Sequence, residues 1–315
     1  MAKIIPLSTG EPVTSRPFEE RDWWPVRQLL IDTCRLAPPD WNWDIRHWDG
    51  SRYHSSPPRW AAHWEGRVQV WETGDGRLVG AAHPEDGGDA FLELHPDYRH
   101  IEAEMVAWVE DHLTVPTEDG SQRAVTMHAY EYDLVRQRLV AQRGWQKTEN
   151  WGVIRVLRFG NKVLPAPQMP VGYTLRTPCQ GDEADYQRFA DLLNAAFNRT
   201  FHNAAEIRNF RTQSPSYRAD VDMLAEAPDS SLAATVGFTY DEANRTAIVE
   251  PVCTHPDHLR KGLARALMFE GFRRLKALGA VDVTVGTGMM EAANRFYESV
   301  GFAEVYKGFV WRWVK

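Results

Sequence analysis

The chain has 315 residues, of which 43% are hydrophobic and 25% charged, a length and composition that favour two ordinary globular domains. Its net charge of -7 argues against a nucleic-acid partner, because such proteins usually present a basic face to phosphate. No uncharged apolar run is long enough to span a membrane and the start lacks a secretory core, so we expect a cytoplasmic protein with no membrane partner. Three scattered cysteines, Cys34, Cys179 and Cys253, predict neither a disulfide framework nor a metal site. The sequence leaves the oligomeric state open.

A proline-rich segment divides the chain near its middle. The strand-like run from Val153 to Phe159 is followed by residues 161–170, which contain three prolines. Linkers of this composition typically separate domains. We therefore predict a first domain over 1–160, a linker over 161–170 and a second domain over 171–315.

Similar segments recur in the same order on both sides of this linker, which predicts a duplicated domain. The matching segments begin at Ser15 and Thr174, at Phe91 and Ile248, and at Gln142 and Ser299. Each half has the pattern of a strand, helices, several antiparallel strands, a strand leading into a long helix, another strand, a helix and a last strand. The predicted fold class is α/β, with a mixed, mostly antiparallel sheet flanked by helices in each half.

The longest predicted helix follows Arg260 and has a regular apolar face. Spaced on a period of 3.6 residues, that face comprises Leu263, Leu267, Gly271, Leu275 and Leu278. Basic residues of the same helix point away from it. This helix is therefore expected to cover one side of the sheet.

The turn before this helix has the composition of a phosphate site. A helix start carries backbone N–H groups without partners and a partial positive charge. Gly262 permits a close backbone approach that a side chain would prevent, and Ala264 keeps the next turn small. Three basic residues add positive charge in a chain that is negative overall. The predicted pyrophosphate site comprises Arg260, Lys261, Gly262, Leu263, Ala264 and Arg265.

This turn and a second segment resemble the two signatures of the GNAT acetyltransferase superfamily. The second segment is Ala292-Ala-Asn-Arg-Phe-Tyr-Glu-Ser-Val-Gly-Phe. The resemblance covers 171–315, and it implies that acetyl-CoA is the cosubstrate and that Tyr297 lies near the thioester sulfur. It also implies that the end of the preceding strand and one residue of the second signature contact the cofactor. Those positions are Val252, Cys253, Thr254 and Asn294.

The N-terminal half looks like a degenerate copy of the same domain. Aligning the two His-Pro-Asp turns places Glu102 at the position of Gly262, where a carboxylate would repel phosphate. Aligning the glycines that follow the last helices places Val140 at the position of Tyr297. The chain therefore resembles two tandem GNAT-like domains. This plan is similar to that of mycothiol synthase, although the altered N-terminal loop argues against identity with that enzyme.

Two residues of the C-terminal half are predicted to move protons during transfer to an amine. A tyrosine, with an ordinary pKa of about 10, can protonate a departing thiolate, and we assign that role to Tyr297. The alternative for Tyr297 is an aromatic residue packed at a helix end. Glu250, on the strand before the loop, is the predicted general base, as in some members of the family. The alternative for Glu250 is a solvated carboxylate.

Other polar residues are weaker candidates for the site. His255 and His258 lie in a turn that usually caps a strand. His202 and Tyr217 are candidates for the acceptor site, although single residues of these types are more often ordinary surface or core groups. Cys253 is expected to pack as a small residue rather than to form an acyl-cysteine intermediate.

Tryptophan is concentrated in the N-terminal half, which holds 11 of the 13. Five of them lie close together and are mixed with Arg46, Arg52 and His54. Such a cluster suits a cage for a cationic or aromatic acceptor, but dense aromatics more often fill a core or a domain interface. The five are Trp41, Trp43, Trp48, Trp60 and Trp64.

Three functional hypotheses follow from these features. The leading one is an N-acetyltransferase that moves an acetyl group directly from acetyl-CoA to a small-molecule amine. The second is an acetyl-CoA sensor or scaffold without turnover, and the third is the same enzyme with another acyl-CoA. Gly262 and Tyr297 together favour an enzyme, because a sensor needs no proton donor. The sequence identifies neither the amine nor the acyl chain.

Overall fold

The computed structural model describes residues 11–54, 64, 66–85 and 87–315. Trp60 and the start of the chain lie outside these residues. The predicted fold class is confirmed, since helices flank a mixed and mostly antiparallel sheet. Within the described ranges, no helix combines the length and the apolar character needed to cross a membrane.

The N-terminal half contains seven strands and four helices among its described residues. The strands are β1 (Val13–Pro17), β2 (Gln69–Thr73), β3 (Leu78–His83), β4 (Asp89–Leu94), β5 (Val115–Pro116), β6 (Arg123–Tyr130) and β7 (Gln146–Arg158). The helices are α1 (Trp23–Thr33), α2 (Ile45–Tyr53), α3 (Glu102–His112) and α4 (Leu134–Gln142). A 3-10 turn, Pro96–Ile101, joins β4 to α3.

The C-terminal half repeats this order. Its strands are β8 (Thr174–Arg176), β9 (Met223–Glu226), β10 (Leu232–Asp241), β11 (Thr246–Thr254), β12 (Asp282–Thr287) and β13 (Glu304–Val314). Its helices are α5 (Glu183–Phe197), α6 (Ala204–Gln213), α7 (Leu263–Ala277) and α8 (Glu291–Ser299). A 3-10 turn, Pro256–His258, follows β11 just as the corresponding turn follows β4.

The two halves repeat side-chain bonds as well as elements. Arg16 of β1 pairs with Asp22 and with Glu72 of β2. Arg176 of β8 makes the matching pairs with Asp185 and with Glu226 of β9. In both His-Pro-Asp turns the aspartate N–H donates to Nδ1 of the preceding histidine over 3.2 Å. These shared bonds support the interpretation of the chain as a tandem repeat.

The final strand of each half completes the sheet of the other half. The order of the strands along the sheet is β1-β2-β3-β4-β6-β13-β7-β12-β11-β10-β9-β8, with β5 beside β6. Strand β13 of the C-terminal half pairs antiparallel with β6, and β7 of the N-terminal half pairs antiparallel with β12. The two exchanged strands also pair with each other. One continuous sheet therefore joins the two halves through backbone hydrogen bonds.

Helix α7 covers its side of the sheet with the predicted apolar face, except at one residue. Leu263, Leu267 and Leu275 are buried, and Gly271 lies against the ring of Phe238 on β10. Leu278 is 38% exposed because it follows the last residue of the helix and caps it. The expectation that Leu278 extends this face is therefore wrong.

The four described members of the tryptophan cluster pack in apolar cores, and two of them, Trp41 and Trp43, also border a large cavity. Trp43, Trp48 and Trp64 pack in one apolar cluster with Trp23, and Trp41 belongs to a second one. Each of these rings is at most 9% exposed. Burial of such large rings supplies much of the hydrophobic stabilisation of the N-terminal half.

The strand exchange predicts how the halves behave when separated. A fragment comprising 166–315 lacks β7, so β12 loses its antiparallel partner and β13 loses both neighbours. Unpaired strand edges of this kind are prone to association. We expect this fragment alone to be unfolded or self-associated by size-exclusion chromatography, and to form a folded one-to-one complex when co-expressed with 1–165. A monomeric, folded 166–315 fragment would contradict the importance of the exchange.

Candidate active site

An open cleft lies between β11 and β12, which pair in parallel over only part of their length. Their register runs from Thr246 opposite Asp282 to Ile248 opposite Thr284. Beyond Ile248, β11 continues to Thr254 without a ladder partner on that side, while β12 stays paired with β7. The end of β11 therefore has one edge free for an extended ligand.

The alternation of hydrogen bonding along β11 decides which residues direct their backbone N–H and C=O groups into this cleft. The N–H of His255 donates to the carbonyl of Ala233 over 2.8 Å, on the β10 side. Because bonding alternates along an antiparallel strand, Thr254 and Val252 turn their N–H and C=O groups away from β10 and into the cleft. Cys253 turns its backbone toward β10, and its side chain is buried against α5. Of the three predicted backbone contacts, Val252 and Thr254 are the ones whose groups are available.

The turn before α7 has the geometry of an anion site. Gly262 has φ 80°, a left-handed conformation that disfavours residues with a Cβ, and Arg260 has φ 60°. The first intrahelical bond runs from the N–H of Ala266 to Gly262, so the amides of the first turn have no partner within the helix. The N-cap residue, Gly262, has no side chain that could accept from them. Three or more donors at a helix start suit a phosphate group.

The three basic side chains of this turn differ in their hydrogen-bond partners. Arg260 is exposed, and its guanidinium has no bonded partner among the described residues. Lys261 donates through Nζ to the hydroxyl of Tyr173 over 2.8 Å. Arg265 donates through Nη1 to the carbonyl of Ser299 over 3.1 Å. All three lie on the surface, where they add positive charge to the turn.

A cavity of about 1670 Å³ opens beside the end of β11. One wall is a face of the sheet, with Ile248, Glu250 and Thr284. Another wall belongs to the N-terminal half and includes the segment from Thr33 to His47. Ligand pockets commonly measure about 300–1,000 Å³, so this space accommodates two reactants side by side.

Tyr297 of α8 lines this cavity and is 8% exposed. Its hydroxyl has no hydrogen-bond partner among the residues that the structure describes. Burial, together with the nearby charge of Glu250, raises the pKa of Tyr297 to about 12. The hydroxyl therefore keeps its proton throughout the physiological range, as a proton donor must.

Glu250 is held by two side chains of the N-terminal half. Its carboxylate Oε2 lies 3.1 Å from Nη1 of Arg46 and 3.5 Å from Nε2 of His47, both on α2. Nε of Arg46 also donates to the backbone carbonyl of Glu250 over 3.1 Å. The side chain of Arg46 is only 8% exposed, whereas that of Glu250 is 42% exposed. Glu250 is thus fixed on one side and open to the cavity on the other.

His47 carries a positive charge in this arrangement. Burial acts to lower the pKa of His47, but the carboxylates of Asp44 and Glu250 outweigh it and raise the pKa to about 10. Asp44 caps the start of α2, and its Oδ1 lies 3.0 Å from Nδ1 of His47. The row of charges from Asp44 through His47 to Glu250 therefore runs along the wall of the cavity.

The other candidates divide between the cavity and its surroundings. His202 and Tyr217 line the cavity, where Nδ1 of His202 bonds to Glu206 and the hydroxyl of Tyr217 donates to Asp222. His255 accepts from the backbone of its own turn, and Nδ1 of His258 bonds to Tyr173, so both serve the turn.

Asn294 is engaged by residues of both halves. Its Nδ2 donates to the carbonyls of Gly288 and Met290, and its Oδ1 accepts from Nε of Arg155 over 3.1 Å. These bonds hold the start of α8, the helix that carries Tyr297. Both N–H donors of the amide are used in these bonds, so a contact that it donates to a cofactor would have to replace one of them.

The comparisons with known proteins agree with this geometry. Residues 186–302 match the family model described as the acetyltransferase (GNAT) family. The C-terminal half carries a GNAT domain. No curated protein matches the chain.

Solved structures share the fold of the whole chain, not only of the GNAT domain. A GCN5-related N-acetyltransferase from Sphaerobacter thermophilus is 18% identical, with 97% of each chain covered and a TM-score of 0.61. A tandem GNAT protein from the clavulanic acid biosynthesis pathway is 15% identical, with 96% of this chain and 98% of that one covered and a TM-score of 0.64. A GNAT-family acetyltransferase from Colwellia psychrerythraea is 11% identical, covering 95% and 99%, with a TM-score of 0.59. The family and the fold support an acyltransferase role.

The N-terminal counterpart of the GNAT phosphate turn is closed by buried charges. Glu102 is 1% exposed and begins α3, where its carboxylate accepts from Nε of Arg99 over 2.9 Å and from Nε of Arg136 over 2.6 Å. Asp133 pairs with the same two arginines. Buried ions are tolerated when they are paired in this way. The predicted carboxylate is present, and it neutralises arginines instead of meeting solvent.

The residues that reach the GNAT domain from the other half could not be identified from the sequence alone. Arg46 stood out only as a member of an aromatic and basic cluster, His47 was not singled out, and no spacing linked either residue to Glu250. Asp44, two positions before Arg46, does have the character of a helix N-cap. That signal locates the start of α2 but not what the helix faces.

No group of three or more metal-ligating residues occurs within the described ranges. The polar residues of the cavity walls include carboxylates, histidines, tyrosines and arginines.

Gly237 of β10 allows the close approach that places Glu250. A Cβ at this position would lie 2.8 Å from the carbonyl oxygen of Glu250 and 2.9 Å from Cδ of Pro251. We expect Gly237→Ala to lower the free energy of unfolding by about 1–3 kcal/mol, measured by chemical denaturation, because backbone must move. Gly74→Ala is the control, since its Cβ would meet nothing within 4 Å. Equal stability of both variants would show that the contact is unimportant.

Proposed function

We propose that this chain is an N-acetyltransferase that moves an acetyl group from acetyl-CoA to the amine of a small molecule. One observation carries the proposal. The cavity that holds Glu250 and the proton-bearing Tyr297 adjoins the free edge of β11, which leads to the open glycine turn of α7. An extended ligand could therefore contact three features in succession. These are a turn suited to phosphate, a strand edge that can pair with the amides of the ligand, and a proton donor.

The acetyl-CoA would lie along the free end of β11. Its pyrophosphate would accept from the amides of the first turn of α7, with Arg260 available to add charge. Its pantetheine amides would pair with the backbone of Val252 and Thr254. This places the thioester near Tyr297.

The reaction then needs two proton movements. The neutral amine attacks the thioester carbonyl, a C–N bond forms and the C–S bond breaks. Glu250 accepts the proton that the amine loses, directly or through water, and Tyr297 supplies a proton to the departing thiolate. Alignment of the two reactants in one cavity supplies much of the acceleration.

Direct transfer is favoured over an acyl-enzyme. Cys253 lies on the strand beside the cleft, but it is buried, and its burial raises its pKa to about 12. A thiol that stays protonated is a poor nucleophile. The side chain of Cys253 packs with apolar residues of α5.

The acceptor would bind between the two halves. The cavity is bounded by the sheet of the GNAT domain and by the segment from Thr33 to His47 of the other half. A site enclosed in this way suits a small molecule better than a protein surface. Carboxylates outnumber arginines among the lining residues, which favours an acceptor that arrives as a cation.

The closed N-terminal turn predicts one acetyl-CoA per chain. Gly262→Glu introduces the residue found at the matching position of the N-terminal half, Glu102. The negative charge of the new side chain would repel phosphate, and the left-handed φ of position 262 disfavours any residue with a Cβ. We expect calorimetry to give a stoichiometry of one for the wild type and an affinity loss of roughly a hundredfold or more, about 2.7 kcal/mol, for the variant.

Gly279→Glu is the matched control for this variant. Gly279 also has a positive φ, 93°, but lies beyond the other end of α7. The control should bind acetyl-CoA like the wild type. Two equivalent sites in the wild type, or equal affinities of the two variants, would refute the assignment of the phosphate turn.

Tyr297→Phe tests the proton donor. The substitution keeps the packed ring and removes the hydroxyl, so acetyl-CoA affinity should be unchanged while turnover falls by roughly a hundredfold or more. Tyr240→Phe is the control, because the hydroxyl of Tyr240 bonds to the carbonyl of Leu278 outside the cavity. Turnover is measured as release of the CoA thiol with a panel of amines.

Glu250→Gln should behave differently from Tyr297→Phe. Its activity loss should be largest at low pH, where the amine is protonated, and smaller at high pH. Wild-type turnover in Tyr297→Phe would remove the acid role. Tight acetyl-CoA binding by the wild type without turnover on any amine would instead favour a sensor.

A further inference from the structure

The N-terminal half retains a cleft of the same design as the cofactor cleft of the GNAT domain. Strands β4 and β6 pair in parallel only at Asp89 and Ala90, and then separate. The N–H of His95 donates to Val79 of β3 over 2.8 Å, as that of His255 does to β10. By the same alternation, Leu94 turns its N–H and C=O into the cleft. Leu94 thus corresponds to Thr254.

The chain itself occupies this second cleft. Oδ1 of Asn42 accepts from the N–H of Leu94 over 2.8 Å, and Nδ2 of Asn42 lies 3.2 Å from the carbonyl of Leu94. Nε1 of Trp41 donates to the same carbonyl over 2.8 Å. One carboxamide therefore makes both bonds that an amide-bearing ligand would make at this strand edge.

The neighbouring residues reinforce this placement. The N–H of Trp43 donates to Oε2 of Glu93 over 2.8 Å. The ring of Trp41 lies under the guanidinium groups of Arg99 and Arg136, 4.7 and 5.3 Å from its centroid. Those arginines belong to the buried cluster that closes the N-terminal turn. Residues 41–43 are therefore fixed to the cleft by backbone, carboxylate and cation–π contacts.

The fixed segment runs directly into the helix that reaches the other half. Asp44 caps α2 by accepting from the N–H of His47 over 2.9 Å. Arg46 and His47, in the first turn of α2, contact Glu250 at 3.1 and 3.5 Å. Only three residues separate Asn42 from Arg46, so a shift of the anchor moves both contacts.

We propose that the N-terminal cleft acts as an anchor in which Asn42 replaces a cofactor and holds Arg46 and His47 on Glu250 of the opposite half. Asn42 is then a positioning residue for acyl transfer, a role that rests on the proposed function. Its carboxamide is engaged by Leu94 and by Thr33 of α1. Its effect passes through the start of α2 to the carboxylate that accepts the proton.

The charges around His47 make this placement measurable. Asp44, Arg46 and Glu250 face its imidazole, and the ring of Trp43 lies 5.6 Å away. The two carboxylates outweigh burial and Arg46 in raising the pKa of His47. Movement of α2 away from Glu250 would remove one of these carboxylates and lower that pKa.

The first experiment is a kinetic double-mutant cycle in the full chain. Asn42→Leu removes both bonds to Leu94, and we expect kcat to fall by roughly tenfold or more with the KM for acetyl-CoA unchanged. In a Glu250→Gln background the same substitution should change kcat by less than about twofold, because the group that it positions is gone. Additive losses in the double variant would overturn the proposal.

Gln137→Leu is the matched control. Nε2 of Gln137 donates to the carbonyl of Tyr130 over 2.8 Å, so this variant also removes a bond between a carboxamide and a strand end of the N-terminal half. Its kcat should equal that of the wild type. A loss equal to that of Asn42→Leu would show a general effect on stability. Asn42→Ser serves in place of Asn42→Leu if the larger side chain prevents folding.

The second experiment does not depend on turnover. The pKa of His47 is measured by NMR titration in the wild type, Asn42→Leu, Gln137→Leu and Glu250→Gln. We expect it to fall in Asn42→Leu and in Glu250→Gln, and to stay raised in Gln137→Leu. An unchanged His47 pKa in folded Asn42→Leu would overturn the anchor, whatever the kinetics. A wild type that titrates as expected but never turns over would instead count against the proposed function alone.

Discussion

The exchange of β7 and β13 is the constraint on which the rest of this structure depends. Each strand pairs along its length with the other half, so the sheet of neither half is complete alone. The exchange also brings Arg158 of β7 to Asp282 of β12, where Arg35 from the loop after α1 binds the same carboxylate. Backbone bonds and a buried carboxylate thus fix the loop between α1 and α2 over the sheet of the GNAT domain. The position of α2 beside β11 follows from this.

The two halves use the same strand, turn and helix for opposite purposes. In the GNAT domain a left-handed glycine leaves the amides of α7 uncapped, and basic side chains surround them. In the N-terminal half Glu102 begins the corresponding helix and is enclosed by two arginines. A buried carboxylate without those partners would be costly, so the arginines and the glutamate depend on one another. The duplicated element has become a structural support in one copy while staying open to ligands in the other.

The candidate site combines residues with different origins. Tyr297 and the turn of α7 belong to the GNAT domain, whereas Arg46 and His47 belong to the degenerate half. A copy that has lost its own phosphate turn thereby contributes a wall of the cavity and two cations beside Glu250. The N-terminal half therefore contributes to the cavity although it carries no counterpart of Gly262 or Tyr297.

The sequence by itself determined the features that depend on near neighbours. The repeat, the α/β class, the apolar face of α7 and the turn at Gly262 could all be predicted, because each reflects spacing or local backbone preference. Only the tertiary structure decided which strands pair and what faces Glu250. Alternating patterns in β7 and β13 are the same whichever half they complete, since the period of a strand carries no information about its partner. The bond from Arg46 to Glu250 spans 204 positions, and no local signal encodes a contact that arises when two sheets join.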